Sequence, residues 1–555
     1  MGSTSRLFVC VVSLAGALAF TGLRAQAQMP AAAAPAAAAP AAPAPFQIRQ
    51  TAYLKASNPH ASDHFGDGGN LPGHSGNSIA ISQDGNYLAI AAHQEASASK
   101  GVNGNQNDTS MYGAGAVYVF VRRPTGWAQQ AYIKPSNTQQ GSNFGMNVAF
   151  NADATTLAVS AYFESSSSKG VNSVQDDKIP QAGAVYVFSR TGETWSQQAY
   201  LKASNTGRPP DPRDPSDLGD GDQFGFAIAL SGDGNVLAVG AVSEDSKASG
   251  TNTPGFEDDD SAGDAGAVYI FTRNGTAWTQ RDYLKSLNND AGDRFGFVLA
   301  LSGSGNTLAV TSYDEDGSGR SANSIPDNRR GGSGALYILD RANDAWRQTA
   351  YLKGSQLNGN DASGVSVGLS EDGNTVIIGS ADDSCLVPGV NAPCRGATWP
   401  PHLGAGSSGG VYVWQRTGNN WVEQAYLKAS SPDLEDLFGV RASISGDGNT
   451  IAVGAANEDG PGRGLNGNQR SNAAEDAGAV YIFTRADGVW TQRVYLKGSN
   501  TDAYDMFGSA AAVSRDGKTI VIGAPIEGSS ARGVNGNQAD NSAQGAGAVY
   551  VFTVN

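Results

Sequence analysis

The sequence predicts an all-β fold, a seven-bladed β-propeller built of four-stranded antiparallel blades. A phrase close to Gly-Ala-Val-Tyr-Val-Phe recurs along the chain and ends at Phe120, Phe188, Phe271, Leu339, Trp414, Phe483 and Phe552. Each of the first six copies is followed by a Trp and then by Tyr-Leu-Lys or Tyr-Ile-Lys, whereas the seventh Tyr-Leu-Lys stands at residues 53–55, ahead of the first full repeat. Repetition of this kind indicates a repeat architecture, and the displaced copy indicates a ring whose last blade is completed by the N-terminal strand.

Blade three illustrates the four strands of one repeat. Residues 227–230 and 236–239 are apolar runs on either side of Asp233-Gly234-Asn235, and Asp-Gly between two such runs is typical of a β-hairpin. A polar loop leads to a third run at 265–271, and a turn then leads to a fourth at 278–285. The runs are apolar on both faces, so each sheet must be covered on both sides. Radial packing of blades provides that cover, and ring closure leaves only short protected edges.

Composition and the N-terminal segment predict an exported protein. The 555 residues carry a net charge of −15, which excludes the basic face that nucleic-acid binding requires. Residues 1–27 have the charge, apolar stretch and small-residue cleavage site of a signal peptide, and the apolar stretch is short for a membrane anchor. Residues 28–45 form an Ala/Pro-rich linker and residues 46–555 the propeller. We expect a secreted, periplasmic or cell-surface monomer with no membrane span after the signal is removed.

The chain resembles FG-GAP repeat proteins, whose best-known members are the propellers of integrin α-chains. Phe507-Gly508 and Gly523-Ala524-Pro525 match the repeat fully, and the Phe-Gly half recurs at Phe144, Phe224, Phe295 and Phe438. The resemblance covers about residues 46–555 and implies a propeller whose ligand face is formed by the loops that join strands two to three and four to one. Integrin blades hold calcium in the first hairpin, but all seven hairpins here have a tight turn, so we expect no metal there.

The spacing of the repeat assigns the opening pair of blade one. In six hairpins the opening pair stands nine residues before the turn residue, and counting back from Asp84 gives Ser75-Gly76. We therefore expect the conspicuous Phe65-Gly66 to belong to an insertion in the preceding loop.

Charged residues recur at three positions of the repeat. An acid stands eleven residues after each turn position, at Glu95, Glu164, Glu244, Glu315, Asp383, Glu458 and Glu527. Five repeats carry Asp two residues before the opening pair, at Asp222, Asp293, Asp361, Asp436 and Asp505, and every fourth strand ends in Lys. We interpret the acids as a structural ring that pairs with the lysines; the alternative is a ring of cation sites, since close carboxylates repel each other. The six repeated Trp residues are interpreted as packing anchors of the outer strands.

Departures from the repeat are the candidate sites. Blade three carries two acidic loops that could bind calcium or simply be solvated, through Asp217, Asp220, Asp222, Glu257, Asp258, Asp259 and Asp260. In blade one, the counted register makes His74 and His93 cross-strand neighbours that could bind a ligand or a transition metal, or serve as ordinary loop residues. In blade five, Trp399 and His402 follow Cys385 and Cys394, which we expect to form a disulfide in an oxidising compartment. These two residues either form a binding surface or fold over the blade edge.

No catalytic residues emerge from the sequence, and Ca²⁺ is the candidate cofactor. There is no nucleophile elbow, metalloprotease helix or phosphate-binding Gly loop. We expect a non-catalytic binding or adhesion propeller that recognises an extracellular or cell-surface protein or glycan through its loop face. The alternatives are a secreted polysaccharide lyase or hydrolase on the same scaffold, and a purely structural surface protein.

Overall fold

Seven four-stranded antiparallel sheets form the protein, as blades of a ring around a central channel. The structure, a computed structural model, describes residues 46–68, 76–211, 213–214, 219–252, 257–324, 326–357, 361–394 and 406–555. The propeller predicted from the sequence is confirmed. The predicted signal peptide and linker lie outside the described residues and stay predictions.

The strands follow one another along the chain from the channel outwards in each blade. After β1 (Ile48–Leu54), blade one contains β2 (Ile79–Ile81), β3 (Tyr87–Ala92), β4 (Ala116–Arg123) and β5 (Gly126–Ile133). Blade two contains β6 (Val148–Phe150), β7 (Thr156–Ala161), β8 (Ala184–Thr191) and β9 (Thr194–Leu201). Blade three contains β10 (Ala227–Leu230), β11 (Val236–Ala241), β12 (Ala267–Asn274) and β13 (Ala277–Leu284). Blade four contains β14 (Phe295–Leu301), β15 (Thr307–Ser312), β16 (Ala335–Ala342) and β17 (Ala345–Leu352).

The remaining blades repeat this order, and the last one is composite. Blade five contains β18 (Ser363–Leu369), β19 (Thr375–Ser380), β20 (Gly410–Thr417) and β21 (Asn420–Leu427). Blade six contains β22 (Arg441–Ile444), β23 (Thr450–Ala455), β24 (Ala479–Ala486) and β25 (Val489–Leu496). Blade seven contains β26 (Ala510–Val513), β27 (Thr519–Ala524) and β28 (Ala548–Val554), with β1 as its outer strand.

Pairing of β1 with β28 closes the ring. The two strands are antiparallel, with Tyr53 opposite Tyr550. Beyond the strand, the Lys55 N–H donates to the Gly533 carbonyl oxygen at 2.8 Å. The N-terminal strand therefore supplies the last blade with the outer strand that the C-terminal repeat lacks, as the sequence predicts.

The hairpin turns are held by their own side chains. In blade three, Ser231 Oγ donates to Asp233 Oδ1 at 2.6 Å, and the Asn235 N–H donates to the same oxygen at 2.9 Å. Gly234 between them has a φ of 70°, the left-handed conformation that glycine adopts without strain. The turn carboxylate thus caps its own hairpin, which explains why Ser-x-Asp-Gly-Asn recurs there.

Close backbone contact between glycines of neighbouring blades explains the repeated Phe-Gly and Gly-Ala pairs. A Cβ on Gly240, at the end of β11, would lie 2.2 Å from the carbonyl oxygen of Gly296 in blade four. A Cβ on Gly454 would lie 2.1 Å from the carbonyl oxygen of Gly508 in blade seven. Where both members are glycine, the backbones of adjacent blades therefore touch directly.

The opening pair of blade one is Phe65-Gly66, so the register counted from the sequence is wrong. Phe65 bridges to Ala92 at the end of β3, and its ring meets Tyr118 edge to face at 5.5 Å, as the equivalent phenylalanines of other blades do. A Cβ on Gly523 of blade seven would lie 2.1 Å from the Gly66 carbonyl oxygen. The count failed because the insertion of blade one lies between the pair and β2, not before the pair.

A ring of backbone hydrogen bonds links the seven hairpin turns. At five junctions between consecutive blades, and where blade seven meets blade one, the N–H of the residue before the turn position donates to the carbonyl oxygen of the equivalent residue in the next blade. The donor–acceptor pairs are Gln83–Ala152, Ala152–Gly232, Gly232–Gly303, Gly303–Glu371, Glu371–Gly446 and Arg515–Gln83. Between blades six and seven, the Asp447 N–H donates to the Arg515 carbonyl oxygen instead. These bonds hold all blades together at the turn end of the channel.

Nothing in the described part of the chain forms a helix long and apolar enough to cross a membrane.

Candidate functional site

Each blade buries one acid of the repeated series in a network of hydrogen bonds. In blade one, Glu95 accepts from Lys134 Nζ at 2.9 Å, from the Tyr132 hydroxyl at 2.9 Å and from the Ser97 N–H at 3.2 Å. Asn58, on the loop that arrives from blade seven, donates to Glu95 at 3.1 Å. The same ion pair recurs in the other blades as Glu164–Lys202, Glu244–Lys285, Glu315–Lys353, Asp383–Lys428, Glu458–Lys497 and Glu527–Lys55.

These acids are engaged by groups of the protein itself. The paired lysine and acid side chains are between 0% and 4% exposed, and each Glu accepts from several donors at once. A buried carboxylate that is paired and fully hydrogen-bonded serves the fold. We therefore interpret the acidic ring as structural, with the ion pair inside a blade and the Asn linking neighbouring blades.

A second buried carboxylate lies near the ion pair in six blades. The corrected register adds Asp63 to the five predicted members of the series. Burial, followed by the charge of Glu458, raises the pKa of Asp436 to about 8, although the Asp433 N–H donates to it. Burial likewise raises the pKa of Asp293 to about 7. A raised pKa favours the protonated form of these two carboxyl groups, which limits the repulsion expected between the two acids of their blades.

The repeated Trp residues are packing anchors, as predicted. All six are buried. In blades two, three and six the indole N–H donates to a Gln of the preceding blade, in the pairs Trp195–Gln130, Trp278–Gln198 and Trp490–Gln424.

Residues that differ between blades meet beside the channel at the opening-pair end. The positions concerned are the residue before Phe, the residue after Gly and the residue after the second strand. In blade one they are His64, Asp67 and His93. In blades two to four they contribute to an apolar cluster of Met146, Tyr162, Phe226, Val242 and Phe297. In blades five and six they contribute to an aliphatic cluster of Val365, Leu437, Val440, Ala381 and Ala456. Equivalent positions thus have three different chemistries around one ring.

The histidine group of blade one is compact. His64 Nδ1 lies 3.3 Å from Asp67 Oδ2, and the rings of His64 and His93 meet nearly edge to face at 5.7 Å. One ligand atom from each of the three residues lies within 4.8 Å of the others. His64 has a φ of 56° and its N–H donates to the Gly545 carbonyl oxygen, so its backbone is fixed by blade seven. His74, the partner that the sequence suggested for His93, lies outside the described residues.

A buried arginine adjoins this group inside the channel. Arg441 lines a channel cavity of about 180 Å³ and is only 8% exposed. Its guanidinium donates to the carbonyl oxygens of Val365 and Val440, at 3.2 and 2.9 Å. Burial lowers the pKa of Arg441 to about 10, and the nearby charge of Asp67 opposes that shift. One side of the channel mouth is therefore polar and charged.

The other side of the mouth carries an aromatic pocket of about 240 Å³. Its wall consists of Tyr162, Phe163, Phe226 and Phe297, and its rim includes Gln181, Gln223 and Arg294. Phe163 is half-buried, whereas the other three rings are nearly inaccessible. The pocket therefore combines an apolar floor with amide and guanidinium groups at its edge.

The turn end of the channel has different chemistry. Arg515 Nε lies 2.6 Å from Glu371 Oε2, and both residues line the cavity at that end. The rest of this lining comes from the hairpin turns and the β-residues beside them. The aromatic pocket and the histidine group therefore both lie at the opening-pair end.

Among the acids of blade three that the structure describes, no three bring their carboxylate oxygens close enough together to hold a metal ion. Asp258 lies 3.5 Å from Lys169, and both side chains are exposed, whereas Asp259 is partly buried and lies 3.8 Å from Lys247. Burial, then the charges of Glu244, Asp245, Asp260 and Asp220, raises the pKa of Asp222 well above its usual range. Asp217 lies outside the described residues, and the calcium site stays a prediction.

Blade five carries the disulfide that the sequence predicts. Cys385 and Cys394 are bonded, with their Cα atoms 5.6 Å apart. The bond closes a short loop directly after the buried Asp383, whose carboxylate accepts from the Cys385 N–H at 2.9 Å. Trp399 and His402 lie outside the described residues, so their role as a binding surface stays a prediction.

Comparison with known proteins identifies the repeat. The family model of the FG-GAP repeat matches residues 127–188, 421–483 and 490–552, each spanning the outer strand of one blade and three strands of the next. The propeller therefore contains FG-GAP repeats. No curated protein matches its sequence.

Two solved structures show a distant similarity to this propeller. A putative 6-phosphogluconolactonase from Bacteroides uniformis has a TM-score of 0.41 at 10% identity, covering 76% of this chain and 85% of its own. Hydrazine synthase from Kuenenia stuttgartiensis has a TM-score of 0.41 at 11% identity, covering 80% and 92% respectively. Similarities this weak carry no functional inference.

Sequence reasoning missed most of the mouth of the FG-GAP propeller. His64 and Asp67 were missed because the counted register placed Phe65-Gly66 in an insertion. The Phe65-Gly66 sequence was the signal that could have identified the opening pair of blade one, and with it the positions of these two residues. The aromatic pocket had no local signal, since its wall joins residues of three blades that are separated by up to 135 positions, from Tyr162 to Phe297.

Proposed function

We propose that this FG-GAP propeller is an exported, non-catalytic binding protein that recognises an extracellular or cell-surface protein or glycan through the opening-pair end of its channel. The observation that carries the proposal is the aromatic pocket, which is built from positions that differ between blades. The disulfide supports an oxidising compartment, because such bonds persist mainly in exported proteins.

The repeat separates scaffold from site. A residue type that the fold needs recurs in every blade, as the buried Lys–acid pair does. Phe226 and Phe297 follow the opening Gly in blades three and four, where blade seven has Ser509. The fold therefore tolerates a small polar residue at this position, so we assign the aromatic rings of blades three and four to ligand recognition.

The pocket suits a protruding group of a larger partner. At about 240 Å³ it accommodates one side chain or one sugar ring, and is smaller than pockets that enclose whole drug-sized ligands. Its aromatic wall provides apolar contact, and Arg294 and Gln223 at the rim provide donors that fix orientation. Arg294 pairs with Asp314 at 3.3 Å and its own side chain is 39% exposed, so its guanidinium can also reach a partner.

Binding screens with matched variants test this proposal. Purified protein is applied to a glycan array and to a panel of extracellular proteins, and any hit is quantified by calorimetry. We expect Phe163→Ala and Arg294→Ala to weaken binding by tenfold or more, whereas Arg515→Ala at the other end of the channel leaves it unchanged. Equal losses for all three variants, or no loss at Phe163, would contradict the proposed surface.

A polysaccharide-active enzyme is the second candidate. It is favoured by one observation, the meeting of His64, Asp67 and His93 beside the channel near Arg441. An imidazole next to a carboxylate can act as a general base. Incubation with a polysaccharide panel, followed by reducing-end and ultraviolet lyase assays, tests this candidate. Cleavage that His93→Val abolishes would establish it, and no cleavage by the wild type would reject it.

A further inference from the structure

We propose that His64, Asp67 and His93 form a binding site for a divalent first-row transition metal ion at the mouth of the channel. The inference is independent of the proposed recognition function, because it concerns a different group of residues and a different ligand. Two imidazoles and one carboxylate are ligands that such metals prefer, whereas calcium and magnesium prefer oxygen alone.

The distances suit a metal centre. Metal–nitrogen and metal–oxygen bonds of about 2.0–2.1 Å place tetrahedral ligand atoms about 3.4 Å apart. His64 Nδ1 and Asp67 Oδ2 are already 3.3 Å apart. One ligand atom from each of the three residues lies within 4.8 Å of the other two, so the group is nearly compact enough to share one ion.

Backbone hydrogen bonds fix the three residues before any metal arrives. The Asp67 N–H donates to the His64 carbonyl oxygen at 3.2 Å, which forms a turn and puts the two side chains on the same side. The Gly66 N–H donates to the Ala91 carbonyl oxygen at 2.8 Å, which aligns this turn with the end of β3, two residues before His93. A site with a preformed backbone needs little ordering when the ion binds.

The other blades serve as an internal control. The residue before the opening pair is Asn143, Gln223, Arg294, Ala362, Leu437 or Met506 in blades two to seven. The residue after Gly is Met146, Phe226, Phe297, Val365, Val440 or Ser509. The residue after the second strand is Tyr162, Val242, Tyr313, Ala381, Ala456 or Pro525. None of these eighteen residues is His, Asp, Glu or Cys, so the fold does not require metal-binding side chains at these positions. Blade one nevertheless has such a side chain at each of the three positions.

The charge of the site is compatible with a cation. Asp67 is 13% exposed and its charge acts on Arg441 and on Tyr162. Its Oδ2 is the oxygen directed at His64, and a carboxylate can accept from an arginine and bind a metal through different oxygens. Arg441 lowers the affinity that the three ligands would otherwise give, and it also places a positive group where an anionic ligand could approach the metal.

Variants taken from the other blades keep the fold intact in the test. His64→Asn introduces the residue of blade two, which takes a φ of 52° there, and His93→Val introduces the residue of blade three. His60→Asn is the matched control, because His60 Nδ1 lies 3.4 Å from Asp63 Oδ2 in the same i, i+3 arrangement without a second imidazole. Circular dichroism checks that all variants are folded.

Metal binding is measured on the untagged full chain after chelator treatment and dialysis. We expect the wild type to bind one Zn²⁺ per chain in calorimetry, His64→Asn and His93→Val to weaken binding at least tenfold, and His60→Asn to change it less than twofold. Cu²⁺ electron paramagnetic resonance should show coupling to two nitrogens in the wild type and to one in His93→Val. Absence of stoichiometric binding, an equal loss in His60→Asn, or unchanged nitrogen coupling in His93→Val would overturn the site.

Discussion

The ion pair between Lys55 and Glu527 joins the two ends of the chain, so Lys55→Met should strongly destabilise the propeller. Nζ and Oε2 are 2.8 Å apart and both side chains are at most 1% exposed. Removing the ammonium leaves a buried carboxylate with only neutral donors, from Tyr53 and Asn500 among others. Loss of one partner from a buried pair costs about 3–5 kcal/mol. The hydrophobic part of Met fills nearly the same volume, so little of this cost comes from a cavity.

A double-mutant cycle separates the pair from other effects of substitution. Lys55→Met and Glu527→Gln each leave one buried polar partner unmatched, whereas the double variant removes both charges. We therefore expect a coupling free energy of about 2 kcal/mol or more in urea unfolding followed by Trp fluorescence. Lys100→Met, at an exposed position, is the control and should change stability by less than about 0.5 kcal/mol. Additive effects, or a cost for Lys55→Met no greater than that of the control, would refute the reasoning.

Three further predictions concern pH, a glycine and the disulfide. The pKa of Asp436 is raised to about 8 in the fold. Its contribution to stability is therefore full below pH 4 and is lost as the pH rises towards 8, by up to about 1.4 kcal/mol per pH unit. Asp436→Asn should flatten the pH dependence of the urea midpoint, and an unchanged profile would contradict this. Gly66→Ala should destabilise more than Gly101→Ala in thermal unfolding, because both have positive φ but only a Cβ on Gly66 would lie 2.6 Å from another side chain; equal effects would argue against the corrected register. Reduction of the Cys385–Cys394 bond should lower stability by about 2–3 kcal/mol, since it releases a short closed loop; a reductant that leaves the melting temperature unchanged would contradict this.

Local signals in the sequence were enough to predict the blades. The Asp-Gly turns, the paired apolar runs and the recurrent Trp each have a physical meaning within one repeat, so seven copies reinforce one another. The displaced Tyr53-Leu54-Lys55 was enough to predict that the ring closes. The last repeat has no outer strand after it, and this N-terminal segment has the sequence of one, so the two are expected to pair. The structure has this pairing between β1 and β28.

Local counting failed where an insertion changed the spacing. Phe65 and Asp84 are nineteen residues apart, and the sequence does not say on which side of the opening pair the extra residues lie. The hydrogen bond from Gly66 to Ala91 decides the matter, since it aligns the pair with the end of β3. That alignment places His64 next to His93.

The sequence by itself determined the repeat, its strands, the number of blades and the residues that complete the ring, because turns and apolar runs act over a few neighbouring positions. Only the tertiary structure decided which side chains of different blades meet at the channel. Tyr162, Phe226 and Phe297 belong to one pocket because the radius of the closed ring brings three blades together there. His64 and His93 belong to one group because a cross-strand hydrogen bond sets their register. Such contacts depend on the geometry of the whole ring, so no single stretch of the sequence predicts them.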